Sequence, residues 1–169
     1  MFRLQDSKPH INALWIGTAK CKDQATVDTL QKGGFITLEA AKKGKQPIAI
    51  VADPDSDASG NFLNSRLIYP IFISRLEDTA AKHKPIEDNW LIDYFDDTNY
   101  TGYLNADSYY QDGSTYPTIV AGMPMKLVNN SATSNRPKLV GQTDIDKFTV
   151  ALALSGVDSD LEVKIKWIG

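Results

Sequence analysis

Phe148-Thr149-Val150-Ala151-Leu152-Ala153-Leu154-Ser155-Gly156-Val157-Asp158-Ser159-Asp160-Leu161-Glu162-Val163-Lys164-Ile165-Lys166-Trp167-Ile168 is the stretch that decides the fold. Phe148, Val150, Leu152 and Leu154 alternate with Thr149, Ala151, Ala153 and Ser155. After the turn residues Gly156–Ser159, Leu161, Val163, Ile165 and Trp167 alternate with Glu162, Lys164, Lys166 and Ile168. Successive side chains of a strand point to opposite faces, so two period-two runs joined by a glycine-led turn predict a β-hairpin. The second run has one apolar and one largely charged parity, which predicts an antiparallel sheet wetted on one side.

Working outward, short apolar runs recur between turn residues. Ile11–Gly17, Phe35–Ala40, Pro47–Ala52, Asn89–Phe95, Thr118–Gly122 and Met125–Val128 read as strands, with a basic turn at Lys42–Lys45 and a polar loop at Asn129–Pro137. Arg66–Leu76 also alternates, but Pro70 restricts it to an edge strand or a bulge. Asp23 is placed to cap a short helix reaching Lys32 before Gly33-Gly34, with Ala25, Val27 and Leu30 as its apolar face. Glu77–Lys84 reads as a second short helix, stopped by Pro85. The expectation is a mainly β chain: an antiparallel β-sandwich, jelly-roll-like or Ig-like, with one or two short helices. Residues 1–169 form a single domain in this reading, with 1–10 as an extended arm.

Composition agrees. The chain has 169 residues, of which 42% are hydrophobic and 23% charged, the balance of one globular domain. Seventeen Asp stand against four Glu; Asp favours caps and turns, whereas Glu favours helix interiors. No apolar run approaches the roughly 20 residues that span a bilayer, so no membrane span is expected. The first ten residues carry no apolar signal region, so cytoplasmic synthesis is expected, compatible with membership of an assembled particle, while the location itself is left open. Cys21 is the one cysteine, so no internal disulfide forms.

Charge is segregated along the chain. Residues 1–52 carry a net +4, whereas residues 85–125 hold seven acids and no Lys or Arg. That acidic stretch also holds six of the seven tyrosines: Tyr94, Tyr100, Tyr103, Tyr109, Tyr110 and Tyr116. Tyrosine joins a flat apolar ring to a polar tip, which suits surfaces that desolvate on contact. The candidate binding set is therefore Tyr100, Tyr103, Asp107, Tyr109, Tyr110, Asp112 and Tyr116. Uncompensated carboxylates repel phosphates, so nucleic acid is not expected on this acidic face. The expected partners are other proteins, copies of this chain in an oligomer, or a glycan. Basic and acidic segments on different faces would allow head-to-tail association.

Asp53, Asp55, Asp57 and Asn61 cluster in one loop and form a candidate Ca²⁺ cage. The spacing departs from an EF-hand, because Ala58 stands at the sixth position and Asn64 at the twelfth. The competing reading is a turn whose side chains bond the local backbone. Asp144-Ile145-Asp146 and Asp158-Ser159-Asp160 are weaker versions of the same pattern. The tail Gly156–Gly169 resembles the end of the small calcium-dependent fucose-binding bacterial lectins. In that family an acidic loop precedes a last strand whose terminal glycine carboxylate reaches calcium; the family's dense acidic calcium loop is missing from this chain.

Catalytic motifs are sparse. His10 and His83 stand far apart in the chain, His83 between Lys82 and Lys84, a surface setting. Cys21 lies between Lys20 and Lys22, which would favour thiolate if the sulfur were exposed. No nucleophile elbow, zincin, P-loop or dinucleotide fingerprint is present. No cofactor is expected. The leading expectation is a non-enzymatic binding or assembly module, a structural subunit of a virion or other multimeric particle. A carbohydrate-binding, lectin-like module, with or without Ca²⁺, is the second reading, and a small hydrolase with paired carboxylates is the third.

Overall fold

The computed structural model describes residues 2–4, 16–30, 34–39, 47–52, 69–70, 91–95 and 101–168. The Asp53–Asn61 loop, Tyr100, both histidines and the Glu77–Lys84 helix lie outside the described residues. In chain order the elements are β1 (Phe2–Leu4), β2 (Ile16–Cys21), α1 (Gln24–Leu30), β3 (Phe35–Glu39), β4 (Ile48–Val51), β5 (Tyr69–Pro70), β6 (Leu91–Phe95), β7 (Thr101–Leu104), β8 (Tyr109–Tyr110), β9 (Pro124–Val128), β10 (Lys138–Gly141), β11 (Thr149–Val157) and β12 (Val163–Trp167). The chain is mainly β.

Among the described residues the strands form two sheets, ordered β1-β7-β12-β11-β9-β10-β8 and β5-β3-β4-β2-β6. Both are mixed rather than wholly antiparallel. β2 runs parallel to β4, and β8 runs parallel to β10. Parallel neighbours need a crossover connection, and α1 with β3 supplies part of one between β2 and β4. Pro70 sits in the edge strand β5, the place in a sheet where proline is tolerated. Phe2–Leu4 of the expected arm pairs with β7 as an added edge strand.

The terminal hairpin forms as expected, with two corrections. The turn lies at 158–162, not at Gly156–Ser159, and Gly156 belongs to a bulged part of β11. Asp158 Oδ1 accepts from the N–H groups of Asp160 and Glu162 at 3.0 and 2.8 Å, and Leu161 enters the turn with φ +60. Leu161 is consequently exposed instead of facing the core. The second correction concerns parity beyond Val150, which is buried as a core residue. Ala151 pairs with Trp167 and Ala153 with Ile165, and all four are buried. Leu152 lies opposite Lys166, and Leu154 is 43% exposed. The two large residues of β12 thus lie opposite small ones, the large-beside-small pairing by which close-packed interiors fill.

α1 begins where Asp23 predicts it. Asp23 Oδ1 accepts from the Thr26 N–H and O–H, both at 2.8 Å, which holds its carboxyl below the usual range. Its buried side is Thr26, Val27 and Leu30, while Ala25 is exposed. Val27 and Leu30 join Ala19, Cys21, Ile36, Ala49, Ile92 and Tyr94 in one apolar cluster. The other cluster lies under the first sheet, around Leu104, Met125, Leu139, Ile165 and Trp167. Phe35 and Ala52 of the β3–β4 region belong to this second cluster. Phe35 stacks on Trp167 with centroids 5.8 Å apart and planes 11° from parallel. Asn129 Nδ2 donates to the Ala52 carbonyl at 3.1 Å, a second tie between the sheets.

Residues 118–122, expected as a strand, are irregular. The Ile119 N–H donates to Gln111 Oε1 at 2.8 Å, Met123 N–H closes a turn on Val120, and Gly122 adopts φ +87. The 129–137 loop holds a short 3₁₀ turn at Ser131–Thr133, capped reciprocally by Asn130 and Thr133.

Candidate functional site

The tyrosine-rich segment begins in β7 and continues through two Asx-type turns. In the first, Asn105 Oδ1 accepts from the Asp107 N–H and Ser108 Oγ, at 3.2 and 3.3 Å. In the second, Asp112 Oδ1 accepts from the Ser114 and Tyr116 N–H groups at 2.8 and 2.9 Å and from Ser114 Oγ at 3.1 Å. The Tyr116 and Ser114 N–H bonds hold the Asp112 carboxyl below its ordinary range. The carboxylate expected to accept from a partner is already committed to its own loop.

The rings separate by location. Tyr109 is buried, and its O–H donates to the Leu161 carbonyl at 3.2 Å. Burial pushes its phenol upward, and the nearby Asp158 carboxylate adds to the effect. The expectation that Tyr109 lies on a contact surface is therefore corrected: it is a core residue joining β8 to the hairpin turn. Tyr110 and Tyr116 are half-buried and meet edge to face, centroids 5.6 Å apart and planes at 76°. Tyr116 also accepts a hydrogen bond from Asn130 Nδ2 at 2.8 Å. Tyr94, in the same acidic stretch, is buried against Gly17, where a Cβ would overlap its ring. Asp107 is exposed, and Tyr103 is half-buried beneath Lys164 Nζ, 5.9 Å from the ring centroid. Tyr100 lies outside the described residues.

The two-sheet arrangement brings together a surface that the linear reading did not assemble. On the face of the first sheet away from its core, Tyr103 pairs with Lys164, Thr101 with Lys166, and Lys166 with Leu152. Leu154 continues this row toward solvent, and Lys126 on β9 pairs with Thr149 at its other side. The Lys164/Lys166 alternation was visible in the sequence, but its neighbours come from strands distant in the chain.

Other candidate chemistry is muted. Cys21 is buried, and desolvation, with a smaller contribution from Asp23, pushes its thiol up to about 12. The flanking lysines do not yield a thiolate. Asp146 accepts from the Phe148 N–H at 2.8 Å and from Gln142 Nε2 at 3.1 Å; its carboxyl is held low by these bonds despite an opposing desolvation cost. Among the described residues no group of three His, Cys, Asp or Glu is placed to hold a metal. Among them, too, no helix is long and apolar enough to cross a membrane. The chain matches no family model, no curated protein and no solved structure.

Proposed function

We propose that this chain is a non-enzymatic binding or assembly module, a subunit of a larger multimeric particle, and that its two mixed sheets stack as a β-sandwich. The Phe35–Trp167 stack supports the sandwich, since each ring belongs to a different sheet. The observation that carries the functional reading is the outer face of the first sheet. There a ring, two cations and an exposed leucine sit side by side on paired strands: Tyr103, Lys164, Lys166 and Leu154. An aromatic and apolar centre inside a polar rim is the anatomy of protein interfaces.

The glycan reading has less support, because Tyr109 is buried and Tyr110 lies against Tyr116. Paired-carboxylate hydrolysis needs one carboxyl held high, whereas among the described residues the carboxyls that shift, those of Asp23, Asp112 and Asp146, shift downward.

Sedimentation velocity of the full chain over rising concentration tests the proposal. Association weakened by Tyr103→Ala and Leu154→Ser, at an unchanged unfolding midpoint, is the expected result. A chain monomeric throughout, or association indifferent to both substitutions, refutes this surface as the contact.

A further inference from the structure

We infer that the lysine-bearing face of the first sheet receives the acidic end of a second copy of this chain; the inference rests on the assembly reading and names its partner. The seven strands of this sheet contain five charged residues, Arg3, Lys126, Lys138, Lys164 and Lys166, and no Asp or Glu. Lys164 and Lys166 alternate with the buried Val163, Ile165 and Trp167, so the core-facing parity excludes them, whereas Lys126 and Lys138 share their face with the buried Val140 and Val128 and stand at its margin.

The complementary surface lies at one end of the same sheet. Val163 pairs with both Leu104 and Val157, which brings the turn after β7 beside the hairpin turn. The Tyr109 O–H bond to Leu161 ties the two turns together. Asp107, Asp158, Asp160 and Glu162 all belong to this end. Asp158 fastens its turn, but Asp107 and Asp160 are exposed and use only their backbone N–H groups in the turn bonds.

Face and end are different surfaces, so a contact between them is heterologous and propagates into a ring or filament. A protein occupant is favoured over nucleic acid by one feature. Leu152 and Leu154 offer apolar contact beside the lysines.

The test uses full-length wild type, Lys164→Glu/Lys166→Glu and Asp107→Lys/Asp160→Lys in sedimentation velocity, with circular dichroism melts confirming that each variant folds. Wild type should associate at low salt and dissociate toward 1 M salt, where the screening length is about 3 Å. Each reversal alone should weaken association roughly tenfold or more, and an equimolar mixture of the two should restore it. Association that survives both reversals overturns this docking assignment and leaves the assembly reading standing. A strict monomer at every salt overturns both. Saturable binding of a single-stranded oligonucleotide, lost in the lysine reversal while the protein stays monomeric, gives the face to nucleic acid and also overturns the inference.

Discussion

Tyr109→Ala separates a core tyrosine from a contact tyrosine. The ring is 8% exposed, sits in the cluster with Leu139, Val163 and Trp167, and donates one hydrogen bond to the Leu161 carbonyl. Removing a buried aromatic side chain to alanine costs about 3–5 kcal/mol. For a chain of this length that lowers the melting midpoint by about 10 °C. Tyr109→Phe keeps the ring and loses only the hydroxyl; Leu161 is exposed, so water can reach its carbonyl, and the cost falls to about 1 kcal/mol or less. Urea unfolding followed by tryptophan fluorescence measures both. A pH series adds an independent sign. The folded phenol titrates above its ordinary 10.0, so the folded state holds this proton longer than the unfolded state does. That contribution is complete below pH 10 and is lost as pH rises through the folded value; Tyr109→Phe should lack this part of the alkaline decline. If Tyr109→Ala unfolds within about 1 kcal/mol of wild type, the range of an ordinary surface change, the burial argument is refuted.

Two further predictions concern the second sheet and its junction with the first. Cys21 should resist a disulfide reagent at pH 8 and react fully once the chain is unfolded in guanidinium, because its thiol is pushed up to about 12; rapid native labelling would contradict the burial. A double-mutant cycle between Phe35→Leu and Trp167→Leu should return a coupling of about 0.5–1.5 kcal/mol for the stacked pair, and a coupling of zero would mean the sheets do not meet there.

The hairpin was legible because its apolar parity in β12 is unbroken: Val163, Ile165 and Trp167 are all buried. The buried parity of β11 was not, because hydrophobicity favours Leu152 and Leu154 while cross-strand volume favours alanine beside Trp167 and Ile165. That competition is settled by the partner strand. The parallel pairings were also illegible, since strand pattern carries no direction when both neighbours are short. Thr118–Gly122 misled because apolar residues can be anchored singly, as Ile119 is, by a side-chain acceptor from Gln111. One misplaced site residue was legible after all. Tyr109 and Tyr110 are adjacent in a strand and must point to opposite faces, so they could not both lie on one contact surface.

The excess of Asp over Glu now has a physical account, and it bears on the proposed contact. Asp23, Asp112, Asp146 and Asp158 each accept a backbone N–H two to four residues ahead. The short aspartate side chain matches that reach. Turn chemistry thus places acids at the ends of strands, while the wet parity of a sheet admits lysine. Lysines collect on the sheet face and carboxylates in the turns at the strand ends through these two local rules. Carboxylates needed by a turn cannot be reversed without disturbing the turn. Asp107 and Asp160 carry their charge at the same end, and their carboxylates are not the turn's acceptors. Reversing those two therefore changes the field a partner meets while leaving the fold's own fastenings in place, which is why they discriminate assembly from folding.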